Sequence, residues 1–299
     1  MTIGLYDPWC NREHYPLGIL WQAAPYSYCS HMCRYCYGRS YLRGNFGGGG
    51  REKEGFRTKF ETCLCRMRDL DLPPRHLSMA NSTDMLQAHL ERNHRHVLFM
   101  LERLLVFRNL FSSFGILTKN PGLLLDDERY ASYVRELGAE VQVSIAFYRD
   151  AAARELEPAA PAVSDRMRAV EKLTARDIRV ALRVDPLFPR HVPGCPALQG
   201  VEEDLLPLVR WAKGVGVAYV IGKPLKLPIR GSADRELHRQ LAAAFQVRRG
   251  SYWRLPEAEK DRLVQEMEAL CAAVGVPFEH CLHNILKRNE QVGSPRSVT

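Results

Sequence analysis

The sequence predicts an α/β fold: a complete or partial TIM-like (β/α) barrel of about six parallel strand–helix units. Three observations carry this. Short runs rich in branched apolar residues recur along the chain, longer stretches with helical apolar spacing separate them, and the two kinds alternate regularly. A strand followed by a helix, repeated, demands a crossover each time and therefore parallel pairing. The composition, 46% apolar and 25% charged, excludes a collagen-like, disordered or coiled-coil chain.

Taken in order, strands are expected over residues 18–23, 76–80, 115–118, 141–147, 178–184 and 217–221. Helices are expected over 56–70, 90–110, 127–137, 163–175 and 205–213. The stretch 90–110 carries its apolar stripe on Leu90, Val97, Leu98, Leu101, Leu104 and Leu105. Between them, Gly47–Gly50 reads as a flexible turn, Glu157–Pro161 (EPAAP) as a rigid one, and 185–196, with four prolines, as a loop. Nothing marks a boundary, so one domain over 1–299 is expected, with its core from about 18 to 281 and a frayed tail over 290–299.

The net charge of +8 is compatible with a polyanionic partner such as nucleic acid, although the charges are scattered. No run approaches the roughly 18 apolar residues of a membrane span, and no membrane partner is expected. The opening MTIGLYDPWC lacks the basic and apolar regions of a secretory signal, so a cytoplasmic location is expected. Nine cysteines, an odd number in a chain too long to need staples, point to metal or redox chemistry rather than disulfides.

Three of them cluster. Cys29, Cys33 and Cys36 form C-x3-C-x2-C just beyond the first expected strand, where a β/α barrel carries its active-site loops. Three thiolates are one short of the four that normally hold a [4Fe–4S] cluster, and so leave one iron open to an external ligand. The competing reading is a zinc site completed by His31 or a distant residue. Zinc would normally recruit a second C-x2-C or H-x3–5-H pair, and Cys63-Leu64-Cys65 has an unusual spacing for that.

This motif, with the aromatic Tyr35 before its last cysteine, resembles the signature of radical S-adenosylmethionine enzymes. From about Gly18 to Cys281 the resemblance narrows to the spore photoproduct lyase-like (DNA repair photolyase-like) branch, through Ile116–Asn120 (ILTKN), Val143–Phe147 (VSIAF), Glu157–Met167 (EPAAPAVSDRM) and Leu182–Pro189 (LRVDPLFP). It implies that Cys29, Cys33 and Cys36 ligate a [4Fe–4S] cluster whose open iron binds S-adenosyl-L-methionine. Reductive cleavage would then give a 5′-deoxyadenosyl radical that abstracts substrate hydrogen. An external one-electron donor, flavodoxin- or ferredoxin-like, is implied as well.

For the cofactor, the resemblance places Tyr35 at the adenine end, Lys119 near the carboxylate and Ser144 against the same molecule. The turn Asn81-Ser82-Thr83-Asp84 falls where such enzymes hold the methionyl amine. These residue types suit a zwitterion. Arg183 reads equally as a cofactor or substrate contact and as an arginine snorkelling at the barrel rim. Glu157 and Arg166 are expected to pair. One departure stands out: the branch's lyases use a cysteine at the end of the second strand to return hydrogen, and Ser78–Ser82 contains none. Cys63 and Cys65, on the preceding helix, read mainly as small apolar residues.

Other features read more plainly. His89, His94 and His96, interleaved with Arg92 and Arg95, read as a solvated basic face, since 94 does not join 89 and 96. The run Arg51, Lys53, Arg57, Lys59, Arg66 and Arg68 is diluted by Glu52, Glu54 and Glu61. Tyr252 and Trp253 beside Arg248, Arg249 and Arg254 form an aromatic-basic patch whose main expected role is packing. Cys271, Cys281, His280 and His283 are too few for an auxiliary cluster, and Cys10 and Cys195 carry no signal. The leading expectation is a radical enzyme acting on damaged DNA, the alternative a peptide or small metabolite. The reading from another class is a non-catalytic zinc or iron–sulfur nucleic-acid-binding protein.

Overall fold

The computed structural model describes residues 20–40, 49–70, 74–80, 83–194, 196–228, 234–250 and 252–279. The chain runs β1 (Leu20–Ala23), β2 (Tyr26–Ser27), β3 (Arg51–Glu52), α1 (Phe56–Asp69), β4 (Arg75–Met79), α2 (Ala88–His94), α3 (His96–Val106) and β5 (Phe111–Thr118). It continues through α4 (Glu128–Leu137), β6 (Glu140–Ser144), α5 (Asp150–Leu156), α6 (Val163–Thr174), β7 (Val180–Leu187), α7 (Leu206–Gly214) and β8 (Val220–Pro224). The last elements are β9 (Lys226–Pro228), α8 (Arg235–Leu241), β10 (Val247–Arg249), β11 (Tyr252–Arg254) and α9 (Glu257–Val274).

All six expected strands form, and they make one parallel sheet in the order β1-β4-β5-β6-β7-β8. Strand order follows chain order because each crossover is a helix that returns the chain to the same end, which is the partial-barrel form of the expected fold. The far side of β8 is covered: Val220 bridges Phe278, with Val220 N donating to Pro277 O (2.9 Å) and Glu279 N to Val220 O (2.9 Å). A covered edge cannot template pairing with another chain.

Alternation sorts the strand residues into two sets. One set, including Leu77, Met79, Ile116, Val141, Val143, Val180, Leu182 and Val220, joins the apolar core shared with the helices. The other lines the inside, where Ala181, Tyr219 and Ile221 form a separate small cluster. Glu140 is buried beside them, bonded by the Tyr219 hydroxyl and paired with Arg179 at 3.1 Å. Near the C-terminal strand ends the inner set turns polar: His76 and Ser78 on β4, Gln142 and Ser144 on β6, Arg183 and Asp185 on β7, and Lys223 on β8.

Two departures from the expected elements have identifiable causes. The stretch 90–110 is two helices, not one. Arg95 takes a left-handed conformation (φ 51°), and the buried Glu91 carboxylate accepts the first amides of α3, Val97 N (3.0 Å) and Leu98 N (3.1 Å). The same carboxylate accepts the hydroxyls of Tyr26 and Tyr130 (2.6 Å). The stretch 185–196 is also not loop throughout, since β7 runs to Leu187. A small antiparallel sheet, β10-β11-β9, was not anticipated. Strands of three residues carry no readable period.

Helix ends follow local chemistry. Asp127 caps α4 by accepting Arg129 N (3.1 Å), and Gly138 ends it at φ 63°, with Ala139 N donating to Val134 O (2.9 Å). A Cβ on Gly138 would touch nothing within 4 Å, so alanine there meets only the backbone penalty. Gly138→Ala should lower stability by about 1–2 kcal/mol in chemical denaturation. An unchanged midpoint would mean that the helix end relaxes to another conformation.

Candidate active site

The loop after β1 and β2 carries the three cysteines, and two backbone features shape it. Tyr28 and Met32, each immediately before a cysteine, are left-handed (φ 61° and 57°), which reverses the chain twice in five residues. The loop then docks on the segment after α5. Arg34 N donates to Leu156 O (2.8 Å), and Ala159 N donates to His31 O (3.3 Å). Arg34 also reaches Asp234, the residue that caps α8, at 2.7 and 3.1 Å.

At the C-terminal strand ends a single cleft is lined by Cys29, Cys33 and Cys36 together with Tyr35, Thr83, Asp84, Lys119, Ser144 and Arg183. The structure thus gathers the cysteines and residues from β5, β6 and β7 in one place. Asn81 and Ser82 lie outside the described residues.

Glu157 is the buried hub behind the cysteines. It pairs with Lys119 Nζ (3.0 Å) and Arg166 Nη2 (2.5 Å), and it accepts the Tyr35 hydroxyl. Burial alone would push its carboxyl up, but Lys119 and Arg166 together hold it down to about 2. Burial disfavours the Lys119 ammonium in turn, yet Glu157 and the neighbouring Cys33 outweigh that and raise it. The expected Glu157–Arg166 pair is present, and Lys119 shares it. Arg166 also donates to Ser144 O (3.2 Å) and Pro161 O (2.8 Å). The Tyr35 ring meets Phe188 edge-on at 5.5 Å, with Lys119 Nζ 5.6 Å from its centroid.

Asp84 organises the opposite wall. Its Oδ1 accepts Leu86 N (2.8 Å) and the Thr118 hydroxyl (2.8 Å). Oδ2 accepts Lys119 N (2.6 Å) and lies 3.0 Å from His31 Nε2. Burial opposes its charge, but His31 and the backbone donors keep its carboxyl below the usual range. Asp84 therefore joins the cysteine loop, through His31, to the end of β5. Arg183 is buried, not snorkelling at the rim, with Nη1 on Gln142 (2.8 Å) and Nη2 on Asp185 (2.9 Å).

Cys29, Cys33 and Cys36 are not in disulfides, and no fourth cysteine lines the cleft among the described residues. Burial pushes the Cys29 thiol up to about 12 and that of Cys33 well above the ordinary value. Thiols in such a place keep their protons until a metal replaces them. A donor set of three sulfurs, Cys33 buried and Cys29 and Cys36 half-buried, with Lys119 beside Cys33, fits an iron–sulfur cluster that takes three protein ligands and carries negative charge.

Several residues of the cleft were not singled out from the sequence. His76, held by Ser113 Oγ at 2.8 Å, Gln142, Asp185 and Lys223 lie two residues from Ser78, Ser144, Arg183 and Ile221, on the same strand faces. Tyr37 and Lys226 carry no such signal. Lys226 Nζ lies 5.3 Å from the Tyr37 ring and 5.0 Å from that of Tyr252, so the small sheet sets Tyr252 beside a lysine that lines the cleft. Cys63 and Cys65 sit on α1 against the apolar core and do not line the cleft. His96 is buried, which departs from the expected solvated face. Residues 280–283 and Cys10 and Cys195 lie outside the described residues.

No family model and no curated protein matches the sequence. Solved structures do match in fold. Spore photoproduct lyase complexed with dinucleoside spore photoproduct aligns with a TM-score of 0.66 at 14% identity, over 87% of this chain and 75% of that one. A mutant of that enzyme with bound S-adenosylmethionine and dinucleoside spore photoproduct gives 0.64 at 14% identity. Streptococcus suis SuiB bound to S-adenosylmethionine gives 0.57 at 11% identity, over 91% of this chain and 52% of that one. The chain shares with these proteins the partial (β/α) barrel.

Glu157→Gln removes a carboxylate that two buried cations share, a change of the kind that costs about 3–5 kcal/mol. The wild-type contribution is complete above the ordinary carboxylate pKa near 4.5 and is lost as the pH falls towards about 2. Denaturation followed from pH 7 down to 2 should show that loss in the wild type and a shallower one in Glu157→Gln. Parallel acid limbs would remove Glu157 from the electrostatic account.

Proposed function

We propose that the protein is a radical S-adenosylmethionine enzyme in which Cys29, Cys33 and Cys36 hold a [4Fe–4S] cluster. The observation that supports it best is the convergence of three cysteines outside any disulfide with Lys119, Ser144 and Arg183, from the end of β5, β6 and β7, on one cleft. A zinc- or cluster-bearing binding module would need no such remote cationic and hydroxyl groups around its cysteines. When bound, the cluster and cofactor together supply reductive cleavage of the sulfonium and a 5′-deoxyadenosyl radical that abstracts hydrogen from the substrate.

The chain's own residues bind, orient and exclude water. Lys119, already poised beside Cys33 and fixed by Glu157, offers its ammonium to the cofactor carboxylate. Thr83 and the preceding Asn81 and Ser82 offer hydroxyl and amide oxygens to the amine. Asp84 acts on that turn from behind, because both its oxygens already accept protein donors. Ser144 and Arg183, adjacent in register across β6 and β7, face the same molecule, and Tyr35 closes the adenine end. The buried strand ends keep a reactive radical away from solvent.

Damaged DNA is the substrate we favour. Lys223, Lys226 and Tyr37 in the cleft lining, with Tyr252 beside Lys226, suit an anionic chain bearing flat bases, and the net charge has the matching sign. The described cleft has no cysteine from β4, where Ser78 stands, so hydrogen return must differ from that of the lyases the sequence resembles. Oligonucleotide binding that falls steeply with salt supports DNA, whereas salt-independent or absent binding points to a peptide or small metabolite.

The deciding experiment is anaerobic. Protein reconstituted with iron and sulfide, reduced and given S-adenosylmethionine should form 5′-deoxyadenosine, and Cys33→Ala should lose both cluster iron and product. Product that persists in Cys33→Ala overturns the assignment. About one zinc per chain without sulfide would support the binding module instead.

A further inference from the structure

Outside the cleft, Glu52, His94 and His96 bring one carboxylate and two imidazoles together. His96 Nε2 lies 2.7 Å from Glu52 Oε1, His94 Nδ1 lies 3.2 Å from Glu52 Oε2, and the donor atoms of all three fall within 4.8 Å of one another. Residues two apart on a continuous helix point away from each other. The left-handed Arg95 between the two histidines breaks that rule. It turns α2 into α3 so that the rings stack, with centroids 5.6 Å apart and planes at 23°. A non-glycine residue in this conformation is a strained one, and here the strain places two ligands side by side.

The trio has a dry wall and a wet one. The His96 ring is buried, stacked on Tyr26 at 5.7 Å and tilted against Phe56 at 5.3 Å. The side chains of Glu52 (38% exposed) and His94 (34% exposed) leave the other side open to water. We propose that Glu52, His94 and His96 form a second metal site, separate from the cysteines, that takes a divalent cation of the zinc class with water completing its shell. Two imidazoles and a carboxylate are a donor set that such a cation accepts, and the carboxylate offsets part of its charge.

Arg57 is the group that opposes binding. Its Nε lies 3.3 Å from His96 Nδ1, and its Nη2 donates to His94 O at 2.6 Å. With Arg57 donating to Nδ1, His96 carries its proton on Nε2 and donates it to Glu52. A cation on Nε2 needs that proton on Nδ1 instead. The ring changes tautomer with no net proton loss, and Arg57 turns away from Nδ1 while keeping its bond to His94 O and its place 5.1 Å over the Phe99 ring. The guanidinium therefore competes with the metal for His96. Because β3 pairs with β2, just ahead of Cys29, the bound ion would fasten the base of the cysteine loop to the α2–α3 pair.

The test uses cluster-loaded protein, dialysed at low micromolar free zinc and analysed for zinc and iron by mass spectrometry. The wild type should retain about one zinc per chain beyond its iron, with a rise in melting temperature. Glu52→Gln and His94→Ala, both at partly exposed positions, should lose the zinc and the thermal shift while keeping their iron. Arg57→Gln, which removes the opposing cation, should bind zinc about tenfold more tightly. Zinc retained equally by Glu52→Gln and His94→Ala, or not retained by the wild type or by Arg57→Gln, overturns the proposal.

Discussion

Everything around the cleft depends on one buried carboxylate. Glu157 has Lys119, Arg166 and the Tyr35 hydroxyl as partners, and each comes from a different part of the chain. Alone, either cation would be prohibitive in so dry a place. Together, with the carboxylate between them, they are tolerated. The residues on either side of Glu157 carry the backbone bonds that dock the cysteine loop, through Leu156 O and Ala159 N. One side chain thus fixes the position of the lysine, the orientation of Tyr35 and the seat of the loop. Two cations against one carboxylate leave an excess positive charge beside Cys33, the sign that suits an anionic cluster.

Asp84 is the complementary device on the opposite wall. Glu157 balances charge, whereas Asp84 satisfies donors: two backbone amides, a hydroxyl and an imidazole. Its contribution is geometric, because it makes the end of β5 and the cysteine loop a single rigid piece. The position of Lys119 in the cleft is therefore set twice, by Asp84 at its backbone and by Glu157 at its ammonium.

The sheet and the cysteine motif were legible in the sequence because both are local signals. Alternation of apolar runs located all six strands to within a few residues, and the cysteine spacing survives any detail of folding. What was not legible depends on partners far along the chain. The break at Arg95 needs Glu91 to cap α3 while also holding Tyr26 and Tyr130, and no window around residue 95 contains those tyrosines. The gathering of Glu52 with His94 and His96 follows from that break, so a helical-wheel reading separates residues that the fold stacks. For Lys119 and Asp84 the family resemblance pointed to the cleft, and Arg183 was left open between cleft and rim; their ion pairs and donors came only with the geometry. The small sheet escaped because strands of three residues look like loop.

Arg34 lies between two of the cysteines, and the carboxylate that grips it belongs to Asp234, 200 residues further on. At the usual pace of synthesis, about 5–20 residues per second, that interval is about 10–40 s. Asp84, Lys119 and Glu157 are made along the way, but until the end of that interval the loop lacks the carboxylate that grips Arg34. Loading before release would meet a loose chain open to any thiophilic ion or oxidant. Loading after release meets a finished pocket with one shape and one charge. If the cysteines hold the proposed cluster, its selectivity is in part a matter of timing at the ribosome.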